Sequence, residues 1–93
     1  MNIAIDYDET YTADPVFWDA VIGLGRQLGH SFVCVTNRSR PPMPDEPQPP
    51  MAVHCSPDRY KSLTATREGL AIDVWIDDSP SSIESGHMPG WDE

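Results

Sequence analysis

The chain has 93 residues, of which 39% are apolar, and this length suits one small domain spanning residues 1–93. Fifteen acidic residues against six basic ones give a formal net charge of −9. Such a charge argues against non-specific binding to nucleic acid or to anionic membranes, because both are negatively charged. No apolar run approaches the roughly 20 residues that a membrane span requires.

The N-terminal sequence MNIAID lacks the basic start and the long apolar segment of a signal peptide, which predicts a cytoplasmic location. The two cysteines, Cys34 and Cys55, lie in predicted strands and are interpreted as free thiols. The alternative is a metal site that combines them with His30 or His54. The Cys-x-x-Cys and His-x-x-x-His spacings of zinc sites are absent, which disfavours that alternative.

The first part of the chain predicts a strand, a helix and a second strand. Residues 3–7 (IAIDY) form a short apolar run that ends in an acid, which is typical of a strand buried on both faces. Asp14 and Pro15 suit the N-cap and the first position of a helix, and Gly29 suits the residue that ends it. Residues 31–36 (SFVCVT) predict the second strand. The apolar residues at helical spacing are Val16, Phe17, Ala20, Val21, Leu24 and Leu28.

The second part opens with a proline-rich loop at residues 38–50, because this stretch holds six of the ten prolines and proline lacks the backbone donor that helices and inner strands need. A stiff connector is the favoured interpretation of this loop, ahead of a polyproline ligand for a partner. The remaining predicted elements are a strand at 51–55, a helix from Ser56 or Asp58 to about Glu68 that ends at Gly69, a strand at 71–76, a short helix at 79–85 and an irregular tail from about residue 86.

Alternation of strands and helices predicts an α/β fold with a parallel sheet. The expected architecture is a three-layer sandwich with a small Rossmann-like sheet of four strands in the order 4-1-2-3 and helices on both faces. Phe17, Trp18 and Trp75 are expected in the core. Ligands of such sheets bind outside the carboxyl ends of the strands.

Polar residues fall where the predicted strands end. Asp6 and Asp8 end the first strand, Thr36 ends the second, and Asp77 and Asp78 end the fourth. Lys61, near the start of the second helix, adds one cation. Carboxylates gathered in one crevice repel each other or hold a cation, and Mg²⁺ prefers such oxygen ligands. The pattern therefore predicts a Mg²⁺ site that also binds phosphate.

These motifs resemble those of the haloacid dehalogenase (HAD) superfamily of phosphohydrolases. IAIDYDET resembles the first motif, an apolar strand followed by Asp-x-Asp-x-Thr, and FVCVTNR resembles the second. Lys61 matches the basic residue of the third motif, and VWIDDSP resembles the fourth. All four occur in the order of the family and together span residues 3–80.

The resemblance implies a role for each matching residue. Asp6 would be the nucleophile that forms an aspartyl-phosphate, and Asp8 would protonate the leaving oxygen and then activate water. Thr10 would brace the first loop. The implied Mg²⁺ ligands are Asp6, the backbone carbonyl of Asp8, Asp77 and Asp78. The resemblance implies that Thr36 and Lys61 hold the phosphoryl group. Asn37 and Arg38, which directly follow Thr36, are added as candidate substrate-binding residues, although a solvated loop is the favoured interpretation of Arg38 and Arg40.

The resemblance also implies a member without a cap, because neither the segment after the first motif nor the proline-rich loop has room for a cap domain. An open site suits a large phosphorylated substrate, or a protein partner or second copy that covers it. The substrate class remains open at this level.

Two alternatives compete with a Mg²⁺-dependent phosphatase. The first is a non-catalytic or regulatory module that binds metal and phosphate on the same fold. The second is a phospho-acceptor domain of the response-regulator type, which the order of the acids disfavours because the acid pair comes last. A calcium-binding EF-hand is excluded, since Tyr11 and Phe17 stand where its glycine and glutamate are required.

Overall fold

The structure, a computed structural model, describes residues 1–58 and 60–84. Its strands and longer helices are β1 (Asn2–Ile5), α1 (Pro15–Gln27), β2 (Ser31–Thr36), β3 (Val53–Cys55), α2 (Lys61–Arg67) and β4 (Val74–Ile76). Short 3-10 helices follow β1 at Tyr11–Ala13 and β4 at Pro80–Ser82. The predicted tail from about residue 86 lies outside the described residues.

The four strands form one parallel sheet in the order β3-β2-β1-β4, which reads 4-1-2-3 from its other edge. β1 lies inside the sheet, where Ile5 is paired with Cys34 of β2 and with Ile76 of β4. The predicted parallel α/β sheet with helices is confirmed.

Side chains alternate between the two faces of this sheet, and each face carries one helix. Ile5, Phe32 and Cys34 belong to a buried cluster that includes Ile22 of α1. On the opposite face, His54 of β3 contacts Glu68 at the end of α2, with Nδ1 and Oε2 3.2 Å apart. The helices therefore enclose the sheet as the outer layers of the sandwich.

The side of α1 that carries most of its apolar residues is not its buried side. Ile22 is buried and Trp18 packs on the core as predicted, whereas Phe17, also predicted in the core, is 53% exposed and forms an edge contact with Trp18. The reason lies at Gly25, where a Cβ atom would stand 2.6 Å from the Phe32 ring. Because Gly25 lets the ring approach the helix backbone, its side of α1 turns inward. The other apolar residues at helical spacing that the structure leaves exposed are Val16, Leu24 and Leu28.

Two glycines of α1 give a matched test of this packing. We expect Gly25→Ala to lower the free energy of unfolding by about 1–3 kcal/mol, because the new methyl group overlaps the Phe32 ring. Gly23→Ala meets no atom within 4 Å and should raise it by about 0.5–1 kcal/mol through its better helix propensity. Urea denaturation of both variants measures the difference, and equal effects would contradict this packing of α1.

Several elements are shorter than predicted. β1 ends at Ile5 because the carbonyls of Asp6 and Tyr7 turn into the following loop, where they accept the N–H groups of Tyr11 and Thr12. The predicted start of the second helix at Ser56 or Asp58 is also wrong, since α2 begins at Lys61. The other shortened elements are the strand predicted at 51–55, now Val53–Cys55, and the strand predicted at 71–76, now Val74–Ile76.

Side chains of the first part of the chain hold the proline-rich loop. The Tyr7 hydroxyl donates to the Pro47 carbonyl at 2.7 Å, and the Arg26 guanidinium donates to the Pro50 carbonyl at 2.6 Å. Tyr11 donates to Asp19 at 2.7 Å and also reaches the carbonyl of Gln48. The loop is thus fixed to the segment after β1 and to α1 by contacts that composition alone does not reveal.

The cysteines are free, as predicted. Cys34 is buried in β2 and Cys55 is half-buried in β3. Burial raises the pKa of the Cys34 thiol to about 12, so it stays protonated and unreactive. Within residues 1–58 and 60–84, no helix combines the length and apolar composition that membrane crossing demands.

Candidate metal centre

The sheet brings the acids at the ends of β1 and β4 together. These strands are neighbours, and the backbone N–H of Asp6 donates to the carbonyl of Ile76 at 2.9 Å, directly before Asp77. Thr36 ends β2 on the other side of β1, and Lys61 begins α2. The predicted convergence of residues from distant parts of the chain is therefore present at one edge of the sheet.

Lys61 lies between two carboxylates. Its Nζ donates to Oδ1 of Asp6 and to Oδ2 of Asp77, each at 2.6 Å, and the residue is only 2% exposed. Burial alone would lower the pKa of this ammonium, but the hydrogen bonds to the two acids raise it above its ordinary value. Lys61 is also the only lysine of the chain, and its ammonium group lies at these two acids.

Thr10 links the two ends of the chain at the third carboxylate, Asp78. Its hydroxyl accepts the Asp78 backbone N–H at 3.2 Å and lies 3.4 Å from both the Asp6 and the Asp78 carboxylates. Glu9 permits this return because its backbone takes the left-handed conformation, with φ 62. The bracing role predicted for Thr10 agrees with these contacts.

Three acids form a group that could hold a metal ion. Asp6, Asp77 and Asp78 each offer a carboxylate oxygen, and these oxygens lie within 4.8 Å of one another. Ligands of one Mg²⁺ lie at most about 4.2 Å apart, so a small inward movement would complete the set. With Lys61 as the counter-charge, the ionised group keeps two uncompensated negative charges. A divalent cation with oxygen ligands fits this donor set.

The protonation of Asp6 reflects this crowding. Burial, followed by the hydrogen bond with Asp78, raises the pKa of Asp6 to about 6, against the opposing effect of Lys61. The hydrogen bond with Asp6 in turn lowers the pKa of the exposed Asp78. Without a bound metal ion, Asp6 therefore holds a proton below about pH 6 beside an ionised Asp78. A raised pKa of this kind is the expected alternative to metal binding when carboxylates meet.

This shift predicts a pH dependence of stability. Because the folded pKa of Asp6 is about 6 and the ordinary value is 3.8, the folded state holds a proton that the unfolded state has released. The contribution of Asp6 to the free energy of unfolding should therefore fall as the pH rises through this window, by on the order of 3 kcal/mol.

The Asp6→Asn variant isolates this contribution because asparagine does not titrate. Urea denaturation in EDTA should show the stability of the wild type falling relative to that of the variant between pH 3.8 and about 6. Asp45→Asn, a change of the same type at an exposed loop acid, should run parallel to the wild type. A constant difference between wild type and Asp6→Asn would contradict the raised pKa.

The acids open onto a cavity of about 220 Å³ at the carboxyl edge of the sheet. Thr36 is buried beside it, and its Oγ1 accepts the Arg38 backbone N–H at 3.2 Å, which leaves the hydroxyl hydrogen for another acceptor. Asn37 is exposed at the rim. The predicted site residues that line the cavity are Asp6, Asp8, Thr36, Asn37, Lys61, Asp77 and Asp78.

Two predicted site residues, Asp8 and Arg38, are paired with each other. The Asp8 carboxylate turns toward Arg38, with Oδ1 2.9 Å from Nη2, and it does not belong to the three-acid group. Arg38 does not line the cavity at the acids, and it also binds Glu46 of the proline-rich loop at 2.7 Å. It is half-buried, so its interpretation as a solvated loop residue is not supported.

The site also contains residues that the sequence did not single out. The backbone N–H of Ser79 donates to Asp77 Oδ1 at 2.8 Å. The Ser82 hydroxyl donates to the Ser79 carbonyl at 2.8 Å and lies 3.3 Å from Asp77 Oδ2. Glu9 lines the same cavity. Pro80 at the start of a short helix was the only available signal for the two serines, and no signal pointed to Glu9.

Comparisons with known proteins return no match to any family model, to any curated protein or to any solved structure. What the site can do is therefore argued from its geometry.

Proposed function

We propose that the chain is a Mg²⁺-dependent phosphatase of the HAD type, which hydrolyses a phosphomonoester through an aspartyl-phosphate on Asp6. The observation that carries the proposal is the meeting of Asp6, Lys61 and Asp77 around one cavity. Lys61 forms a 2.6 Å ion pair with each of the two acids and so links them to each other. The order of the four motifs along the chain supports the same assignment.

The residues suggest a two-step reaction. A carboxylate oxygen of Asp6 attacks the phosphorus, the bond to the leaving oxygen breaks, and Asp8 gives that oxygen a proton. A water then attacks the phosphorus of the aspartyl-phosphate and gives a proton to Asp8, which releases inorganic phosphate and restores Asp6. Lys61 and the Thr36 hydroxyl donate to the phosphoryl oxygens throughout.

Asp6, Asp77 and Asp78 would hold the Mg²⁺, together with the Asp8 backbone carbonyl that the family resemblance implies. When bound, the ion neutralises charge on the phosphoryl oxygens. Neighbouring residues also hold these ligands in position. Ser79 and Ser82 contact the Asp77 carboxylate, and Thr10 contacts the carboxylates of both Asp78 and Asp6. Such supporting hydrogen bonds orient the ligands before the ion arrives.

Turnover of an aryl phosphate tests the proposal. We expect hydrolysis with Mg²⁺, loss of hydrolysis in EDTA and its recovery when Mg²⁺ is restored in excess. Trapping of a phosphorylated protein by rapid acid quench, with the label on Asp6 by mass spectrometry, identifies the nucleophile. Hydrolysis that continues unchanged in EDTA, or a label on another residue, would exclude this mechanism.

A second candidate is a non-catalytic module that binds metal and phosphate. The pairing of Asp8 favours it, because both Asp8 carboxylate oxygens accept hydrogen bonds from Arg38 and neither contacts the three-acid group. Calorimetric binding of Mg²⁺ and inorganic phosphate, without hydrolysis of any member of a broad phosphate panel, identifies this module. Steady turnover of any member excludes it.

A further inference from the structure

Arg38 is held in place independently of Asp8. Its Nη1 donates to Glu46 Oε2 at 2.7 Å, its guanidinium lies 4.7 Å from the centre of the Tyr7 ring, and its backbone N–H donates to Thr36. The partners are themselves fixed, since Glu46 accepts the Met43 N–H at 2.8 Å and the Tyr7 hydroxyl binds the loop. A guanidinium fixed in this way presents its remaining N–H groups as a preorganised fork for an anion.

The fork consists of the Nε and Nη2 groups of Arg38, and both donate to the Asp8 carboxylate. The Nε group of Arg38 lies 2.9 Å from Oδ2 and 3.2 Å from Oδ1, and Nη2 lies 2.9 Å from Oδ1. In the described part of the chain the Asp8 carboxylate has no other side-chain partner, and it is 51% exposed. Because half of the Asp8 side chain is exposed, an anion from solvent can reach the same N–H groups and compete with Asp8, while Glu46 and Tyr7 keep Arg38 in place.

The surroundings of Arg38 offer room for such an anion. Asp8, the carboxylate on the fork, lines the cavity at the acids together with Asp6. On the side of Glu46, Arg38 lines a further cavity of about 290 Å³ together with Arg40 and Glu46. Arg40 has 57% of its side chain exposed and contacts Glu46 at 3.5 Å. A ligand whose phosphate lies at Asp6 can therefore extend to the fork at the place of Asp8.

We infer that the substrate is a phosphomonoester with a second anionic group, a carboxylate or a phosphate, which replaces Asp8 on Arg38. The exchange has two consequences. It selects substrates that carry an anionic group besides the phosphate. It also frees the Asp8 carboxylate to turn to the leaving oxygen, which it cannot do while Arg38 holds both of its oxygens. This inference rests on the proposed phosphatase function, and it names the substrate class of that same site.

Matched pairs of substrates test the exchange. Phospholactate and isopropyl phosphate differ by a carboxylate in place of a methyl group. Phosphoglycerate and glycerol phosphate differ by a carboxylate in place of a hydroxymethyl group, farther from the phosphate. We expect kcat/KM with Mg²⁺ to be higher for the carboxylated member of at least one pair by about tenfold to a hundredfold. In Arg38→Met the preference should collapse to less than about twofold.

Two further variants make the result specific. Arg38→Lys keeps the charge but loses the fork, and it should lose most of the preference as well. Arg26→Met removes the same charge from α1, where the guanidinium donates to the Pro50 carbonyl, and should keep the preference. A wild type that hydrolyses aryl phosphate yet treats both members of each pair alike would overturn the inference and leave the proposed function standing.

A binding measurement decides the inference even if nothing is hydrolysed, in which case the proposed function fails separately. In NMR spectra of the wild type with Mg²⁺, phospholactate or phosphoglycerate should shift the Arg38 Nε–H signal, and the partner of each that lacks the carboxylate should leave it in place. Absence of that shift at saturating ligand would overturn the exchange, whatever the activity.

Discussion

Replacing Asp6 with asparagine is expected to lower the turnover of an aryl phosphate by at least about a thousandfold. The amide is too weak a nucleophile to form the acyl phosphate, and the change also removes one carboxylate from the three-acid group and one of the two acidic partners of Lys61. The rate constant at saturating Mg²⁺ is the measurement. Asp45→Asn carries the same chemical change at an exposed position of the proline-rich loop and should retain wild-type turnover.

A structural loss must be separated from a chemical one, because Asp6 is buried. Circular dichroism and urea denaturation at the assay pH show whether Asp6→Asn is folded under assay conditions. A folded Asp6→Asn protein that keeps a tenth or more of the wild-type rate would rule out Asp6 as the nucleophile.

Replacing Lys61 with methionine is expected to destabilise the metal-free protein by about 3–5 kcal/mol. Methionine has a similar length, so the main change is the loss of the ammonium that compensates Asp6 and Asp77, whose side chains are almost completely buried. Two carboxylates then face each other without a cation. Mg²⁺ should therefore stabilise this variant by more than it stabilises the wild type, because the ion supplies the missing charge.

Urea denaturation in EDTA and in excess Mg²⁺ measures both effects. Arg67→Met serves as the control, since the ion pair of Arg67 with Asp58 lies at the surface and its loss should cost about 0–1 kcal/mol in either condition. A Lys61→Met protein as stable in EDTA as the wild type would show that the ammonium does not hold the acids together.

The parts of the fold that sequence predicts well are those with a local physical cause. An apolar run that ends in acids marks the carboxyl end of a buried parallel strand, and this located Asp6 and Asp77 at the same edge. Asp14 caps α1 through the Phe17 N–H and Gly29 leaves the helix with φ 90, as the residue types indicate.

The parts that sequence did not predict depend on contacts between distant residues. The inward face of α1 is set by the approach of the Phe32 ring to Gly25, although the more numerous apolar residues lie on its other side. The pairing of Arg38 with Asp8 likewise depends on Glu46, which the folded proline-rich loop brings to the guanidinium. Spacing along the chain carries no information on either contact.

One measurement tests most directly whether the acids share a cation. A crystal of the protein soaked in Mn²⁺, which substitutes for Mg²⁺ and scatters anomalously, should show one peak with carboxylate oxygens of Asp6 and Asp77 at roughly 2.1–2.2 Å. Phosphate added to the soak should lie on the ion beside Lys61 and Thr36. A map with no peak between these two acids, at Mn²⁺ concentrations that saturate any weaker surface acids, would contradict the metal centre and the catalytic proposal with it.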